Sequence, residues 1–495
     1  MKIEIINKLE TEQDVTVLGL FDEDEELYES FNKELNEELK YAIKNKHFPK
    51  KFGSIFSTKL NGAKHKRILI VCLGPKKEFT LEKLRRSMAK AVKYTKGRTY
   101  NNFGTNIGRL SKEVEKFTDK DIGKALTEGI ILSNYQFKKY VSQPEDEPEK
   151  KIEKIYIEWN TDVGLFNQGC EEGKIIAEST NLTKELINEP AQYVTPSYLA
   201  TIAQKIAKEN EKIKLTILER KDMEELKMGA LLGVSKGSDQ PPKLIIIEYK
   251  GGDDEPFTAI VGKGITFDSG GLNLKPGKSM MDMKADMSGA AAVLGTMNAI
   301  AKLGVKKNII AIAPCAENTI NGSAMKPGDI LTAYNGKTIE IGNTDAEGRL
   351  ILADALSYVE DKYKPEIIID IATLTGACVV ALGNHISGLM GSDEGLLKDL
   401  EAAGVASYDR VWQLPILEEY QDSMKGHISD LVNIAPPSYG AGTITASIFL
   451  SKFVENAKWA HIDIAGPAHL NEGRDYLQKG ATGTGVRLLV YYFLS

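Results

Sequence analysis

Short apolar runs alternate with longer amphipathic stretches along most of the chain. In the first third, "IEIIN", "VTVLGLF", "RILIVCLG" and "KIYIEW" are β-branched or aromatic and predict strands. Between them, 24–45 and 79–97 carry helical periodicity. From about residue 190 the strands lengthen: "KLIIIEYK" (243–250), "FTAIVGKG" (257–264), "NIIAIAPC" (308–315), "EIIIDIATL" (366–374) and "WAHIDIAG" (459–466). Helical patterns at 288–304, 347–363 and 443–457 fill the gaps. Apolar strands separated by helices predict an α/β fold with a largely parallel central sheet covered on both faces. Ligands of such sheets gather beyond the carboxyl ends of the strands.

At 495 residues the chain exceeds what one core usually supports, which predicts two domains, each a sheet flanked by helices. An N-terminal α/β domain over 1–165, with an oligomerisation or regulatory role, is followed by a linking helix over 166–188 that ends at "NEP", and by a C-terminal catalytic domain over 189–495. The charged, proline-containing run at 136–154 reads as a solvated loop. A net charge of −6 gives no electrostatic reason to expect nucleic acid or an anionic membrane as partner. Four scattered cysteines without a CxxC pair read as free thiols of a reducing, cytoplasmic setting. The start "MKIEIINKLE" lacks the apolar segment of a signal peptide, and no apolar run long enough to span a membrane is present.

Two polar loops could carry chemistry. The first, 263–291, is punctuated by glycines and holds Lys263, Asp268, Lys275, Asp282, Lys284 and Asp286 ahead of a small-residue helix. The second, "NTDAEGRL" at 343–350, follows the strand-like "KTIEIG" and opens the helix at 347. Thr344 and Glu347 match a capping box, a purely structural reading. That reading leaves Arg349 unexplained, because a cation in the first helical turn opposes the helix dipole. Asp268, Asp286, Asp345 and Glu347 would repel one another if brought together, and divalent cations would relieve the repulsion. The six histidines are scattered and form no HExxH, and His461 in "WAHIDIAG" reads as a core residue rather than a ligand. Asp282 can pair with Lys284 or Lys278 at the surface and receives no role. "GLNLKPGKS" from Gly271 to Ser279 misses the P-loop spacing by one residue, because position 272 is Leu.

In this order, "VGKGITFDSGG", "MKADMSGAA" and "NTDAEGRL" closely resemble the leucyl (cytosol) aminopeptidases. The resemblance extends from about 175 to the end and includes "NEP…TP" near 188–196 and "TLTGA" at 373–377. It implies that Lys263, Asp268, Asp286, Asp345 and Glu347 ligate two divalent ions, Mn²⁺ or Zn²⁺, with Asp268 and Glu347 bridging and Lys263 bound as the neutral amine. Lys275 and Arg349 match the two catalytic positions, Lys275 facing the developing oxyanion and Arg349 holding bicarbonate as a proton shuttle. Met283, Thr373, Leu374 and Gly376 match positions around the substrate's first side chain and favour a Leu-like residue.

The implied reaction is hydrolytic release of N-terminal amino acids from peptides with a free amino end, by a metal-bridging hydroxide, in a cytoplasmic homohexamer. A second reading is a DNA-binding or regulatory protein on the same scaffold, to which the lysine-rich stretches 44–51 and 64–67 could contribute. A two-metal phosphoesterase fits the carboxylates but makes poor use of Lys263.

Overall fold

The longest apolar runs lie side by side at the centre of a nine-stranded sheet. Its main path runs Val411–Gln413, Ser387–Gly391, Lys458–Asp463, Ile367–Ala372, Phe257–Gly262, Asn308–Asn318, Lys243–Lys250 and Ile213–Leu218, while Gly264–Asp268 pairs with Asn308–Asn318. The four central strands from Lys458–Asp463 to Asn308–Asn318 are mutually parallel. Antiparallel pairing joins Ser387–Gly391 to Lys458–Asp463, Lys243–Lys250 to Asn308–Asn318, and Ile213–Leu218 to Lys243–Lys250. Helices Ser288–Leu303 and Gly348–Tyr363 bury nearly their whole length, as a sheet covered on both faces requires.

This computed structural model describes residues 1–9, 13–35, 37–59, 67–142, 152–253 and 255–495. The chain divides into two units, Met1–Glu178 with Glu472–Gln478, and Ser179–Asn471 with Lys479–Ser495. The helix expected over 166–188 spans Val163–Asn188, and Pro190 cannot continue it.

The first unit holds a six-stranded sheet ordered Lys2–Ile6, Lys154–Glu158, Asn102–Thr105, Val15–Phe21, Arg67–Gly74 and Ile55–Lys59, parallel except for the last strand. Helices Leu81–Gly97 and Asp119–Asn134 pack on one another and share a buried ion pair, Arg85 Nε to Glu128 Oε2 at 2.5 Å. The late segment 472–478 completes this unit. Tyr476 is buried with Ala89, Leu132 and Ala177 and donates to Glu82 at 3.0 Å, while Asp475 pairs with Arg86 at 3.0 Å.

Three sequence expectations change in detail. "KTIEIG" contributes only Thr338–Glu340, in a small separate sheet with Ile330–Thr332 and Leu431–Val432. The helix expected over 443–457 spans Gly442–Ser451. The stretch 24–45 is two helices, Glu25–Glu34 and Glu38–Lys44. Residues 143–151 of the charged run and 64–66 of the second lysine-rich stretch lie outside the described residues. In the first stretch, Lys50 lies over the Tyr28 ring at 4.6 Å. Among the described residues, no helix is long and apolar enough to cross a membrane.

Candidate metal centre and substrate cavity

The site forms beyond the carboxyl ends of the central parallel strands. Lys263 follows Phe257–Gly262 and is fixed by its backbone, donating to Ile371 O at 3.1 Å and accepting from Ala290 N at 2.8 Å. Asp268 ends the strand Gly264–Asp268. Gly270 and Gly271 then turn the chain at φ of +87° and +65°, a region that strains any residue with a Cβ. This turn lets Gly270 N donate to Asp268 Oδ1 at 2.9 Å. Asp286 lies between the short 3₁₀ turn Met283–Ala285 and the helix Ser288–Leu303.

The second loop does not behave as a capping box. The Thr344 hydroxyl donates to Gly270 O at 2.6 Å and accepts from Asn273 N at 2.8 Å, and no side chain caps the helix Gly348–Tyr363. Thr344 therefore ties the two polar loops together. Asn318, at the end of Asn308–Asn318, does the same from below. Its side-chain amide donates to Asp268 Oδ1 at 2.8 Å and to Thr344 O at 3.0 Å.

These ties bring the acidic groups together. Oxygens of Asp268, Asp286 and Glu347 lie within 4.8 Å of one another, and all three residues are buried. Two lysines stand between the carboxylates. Lys263 Nζ lies 2.7 Å from Asp286 Oδ2 and 2.9 Å from Glu347 Oε1, and donates to Thr373 O at 3.0 Å. Lys275 Nζ lies 2.8 Å from Asp268 Oδ2 and 2.6 Å from Asp345 Oδ1. Asp345 stands outside the compact trio and joins it through Lys275. Thr373 Oγ1 donates to Asp286 Oδ1 at 2.7 Å.

The electrostatics follow from crowding. Burial and the neighbouring Asp268 push Glu347 and Asp286 well above the usual carboxylate range, against the pull of Lys263. Burial opposes the charge on Lys263, but Asp286, Glu347 and Asp268 outweigh it and hold the amine above its usual value. Burial lowers Arg349 to about 10, with Glu347 and Asp463 opposing. Arg349 Nη1 donates to Asn433 O at 2.9 Å, whereas its Nε is buried without a hydrogen-bond partner.

All of the residues that the resemblance assigns to the site line one cavity of about 570 Å³: Lys263, Asp268, Lys275, Asp286, Asp345, Glu347 and Arg349, together with Met283, Thr373, Leu374 and Gly376. Sequence reasoning missed Asn318 and Asp463. The Asp463 carboxylate accepts from Leu374 N at 3.1 Å and Thr375 Oγ1 at 2.7 Å, fixing the loop that carries Thr373. The one signal in the sequence is that Asp463 is a polar residue within the apolar run "WAHIDIAG".

The donor set fits divalent cations. Four carboxylates face two ammonium groups, leaving an excess of negative charge in a buried space, and oxygen-rich sets with one amine suit Mn²⁺ or Zn²⁺. Comparison with known proteins agrees. The model of the cytosol aminopeptidase family's catalytic domain matches residues 181–490, and that of its N-terminal domain matches 17–144. The chain belongs to the cytosol aminopeptidase family. Its enzyme class is accordingly that of a metal-dependent aminopeptidase, a hydrolase. The probable cytosol aminopeptidase of Nitrosococcus oceani is 44% identical over 452 residues, 90% of this chain and 87% of that one. The cytosol aminopeptidase of Pseudomonas aeruginosa is 43% identical over 436 residues, 88% of this chain and 86% of that one. A mutant of tomato leucine aminopeptidase superposes with a TM-score of 0.89 at 32% identity, covering 100% of this chain and 96% of its own. The bottromycin maturation enzyme BotP, solved in complex with Mn, gives 0.86 at 28% identity, covering 97% and 99%.

Proposed function

We propose that the chain binds two divalent ions, Mn²⁺ or Zn²⁺, and releases Leu-like residues from the free amino end of peptides. The observation that carries this reading is the buried trio Asp268, Asp286 and Glu347, with Lys263, Lys275 and Asp345 around it, in the floor of a single cavity. Lys263, Asp268, Asp286, Asp345 and Glu347 would hold the ions. When bound, the ions supply an acidified water, a polarised scissile carbonyl and an anchor for the substrate's α-amine.

The chain's own residues do the rest. Lys275, held here by Asp268 and Asp345, is close enough to the centre to donate to the oxyanion that develops on the carbonyl oxygen. Arg349 has a buried, unpartnered Nε on the cavity wall, which supports a planar anion such as bicarbonate held beside the water and passing its proton on. Met283 and Leu374 give the wall apolar surface for a Leu-like side chain and exclude water from it. Thr373 holds Asp286 and Lys263 in place through its hydroxyl and carbonyl.

The same reading places the enzyme in the cytoplasm as a homohexamer, with the N-terminal domain (1–165) serving assembly or regulation and the catalytic domain beginning near 189. Exposed Val380, Val405 and Trp412 offer apolar surface that association would cover. The test is direct. Protein stripped of metal should be inert, and Mn²⁺ or Zn²⁺ should restore release of leucine from leucinamide with two ions bound per chain. Glu347→Gln should bind fewer ions and stay inert. One ion per chain at full activity, or full activity in the stripped protein, would overturn the reading.

A further inference from the structure

Asp282 does not make the surface pairings that its sequence neighbours offer. Lys284 Nζ donates instead to Asn188 O, and Lys278 sits on the short helix Gly277–Met280 without reaching it. Among the described residues, no ion pair or side-chain hydrogen bond is formed by the Asp282 carboxylate; Lys284 and His469 act on it only through space. Yet Asp282 lines the substrate cavity with Met283, Ala468 and His469, and His469 lies near enough to feel its charge. The lysines of the cavity floor are committed to Asp268, Asp286, Asp345 and Glu347. Burial, with Lys284 and Lys479 acting in the same direction, lowers the His469 pKa below its usual value despite Asp282.

The cavity thus offers apolar lining at Met283, Leu374 and Ala468 together with a carboxylate, Asp282, that has no hydrogen-bond or ion-pair partner among the described residues, and with the His469 ring near it. A leucine side chain would use only the apolar stretch. A lysine or arginine side chain would lay its methylene stem along the same stretch and bring its cationic head to Asp282, the division of labour such side chains favour at apolar surfaces. We propose that Asp282, assisted by His469, is a specificity-determining residue that admits peptides with N-terminal Lys or Arg alongside those with N-terminal Leu. This inference rests on the aminopeptidase reading of the cavity and adds a second substrate class to it.

The experiment compares kcat/KM for leucyl, arginyl and lysyl amides on the Mn²⁺-loaded full-length chain and on two variants, Asp282→Asn and Asp282→Lys. Thermal melting of each variant confirms that it folds. The Arg-to-Leu ratio of kcat/KM is expected to fall about tenfold in Asp282→Asn, the size of one charge-assisted hydrogen bond. It should fall further in Asp282→Lys, with the change carried mainly by KM. A ratio unchanged in both variants, or a wild-type enzyme that cleaves the leucyl amide and leaves the arginyl and lysyl amides intact, would overturn the proposal while leaving the aminopeptidase reading in place. Absence of turnover on every amide would instead overturn the reading of the cavity, and this proposal with it.

Discussion

Replacing Asn318 tests whether the metal centre depends on the strand that supports it. The Asn318 side chain is almost wholly buried and joins Asp268 Oδ1 at 2.8 Å to Thr344 O at 3.0 Å. In Asn318→Ala the carboxylate loses a charge-assisted hydrogen bond, worth roughly 1.5–3 kcal/mol, and the carbonyl loses a neutral one of roughly 0.5–1.5 kcal/mol. Asp268 then keeps Gly270 N and Lys275 as partners, but the loop that carries Asp345 and Glu347 loses its tie to the supporting strand and is held to the loop before it by Thr344, Lys263 and Lys275. Support of this kind changes metal affinity by about 10- to 100-fold. The assay is calorimetric titration of metal-free protein with Mn²⁺, paired with kcat at saturating Mn²⁺ and a melting curve. The expected result is weaker ion binding in that range, a melting temperature lower by several degrees, and substantial recovery of kcat when Mn²⁺ is in excess. Ion affinity within twofold of the wild type would refute the reasoning, because Asn318 would then be a bystander.

Three other outcomes follow from the structure. A Cβ at Gly348 would lie 2.5–2.8 Å from the end of the Lys263 side chain, so Gly348→Ala should push Lys263 off Asp286 and Glu347 and cost about 100-fold in kcat/KM with the circular dichroism spectrum preserved. Glu128→Ala leaves the buried Arg85 without its 2.5 Å partner and should destabilise the N-terminal unit by about 3–5 kcal/mol, read as a lower denaturant midpoint for that unit's transition. Burial opposes the charge on His461, but Asp370, whose Oδ1 lies 2.5 Å from Nδ1, and then Asp463 outweigh it and raise the pKa despite nearby Arg349. Because the folded value is the higher one, this contribution to stability is complete below the ordinary histidine range and is lost as pH rises above about 6.5 through the folded value. His461→Gln should therefore flatten the fall in melting temperature between neutral and alkaline pH, and an unchanged slope would count against the pair.

The long strands were legible because burial on both faces leaves runs of mostly apolar residues, as in "KLIIIEYK" and "EIIIDIATL". Short strands were not. Ser387–Gly391 is "SGLMG", Val411–Gln413 is three residues long and Asn102–Thr105 is "NFGT", so none shows a period that a sequence can display. The helix Gly442–Ser451 stops short of its apolar pattern for a tertiary reason. The Glu360 carboxylate, from another helix, takes the backbone N–H groups of Glu455, Asn456 and Ala457 at 2.7–2.9 Å, which frees them from helical pairing. Thr344 and Glu347 carry the spacing of a capping box, but the hydroxyl finds better partners in the neighbouring loop. At the site, charged residues concentrated in two short loops were conspicuous in the sequence. Asn318 and Asp463 are single polar residues at strand ends, and only the pairing of distant strands reveals what they hold.

The return of residues 472–478 to the first unit has a bearing on how the protein is made. Synthesis delivers the strands and helices of that unit early, yet the tyrosine that covers Ala89, Leu132 and Ala177 emerges only after residues 179–471 of the second unit. Until then the nascent N-terminal portion displays a bare apolar patch, and Glu82 lacks the tyrosine hydroxyl. A fragment ending at 178 inherits that defect permanently, so cutting the gene at the boundary between units yields a sticky, incomplete piece rather than a free-standing module.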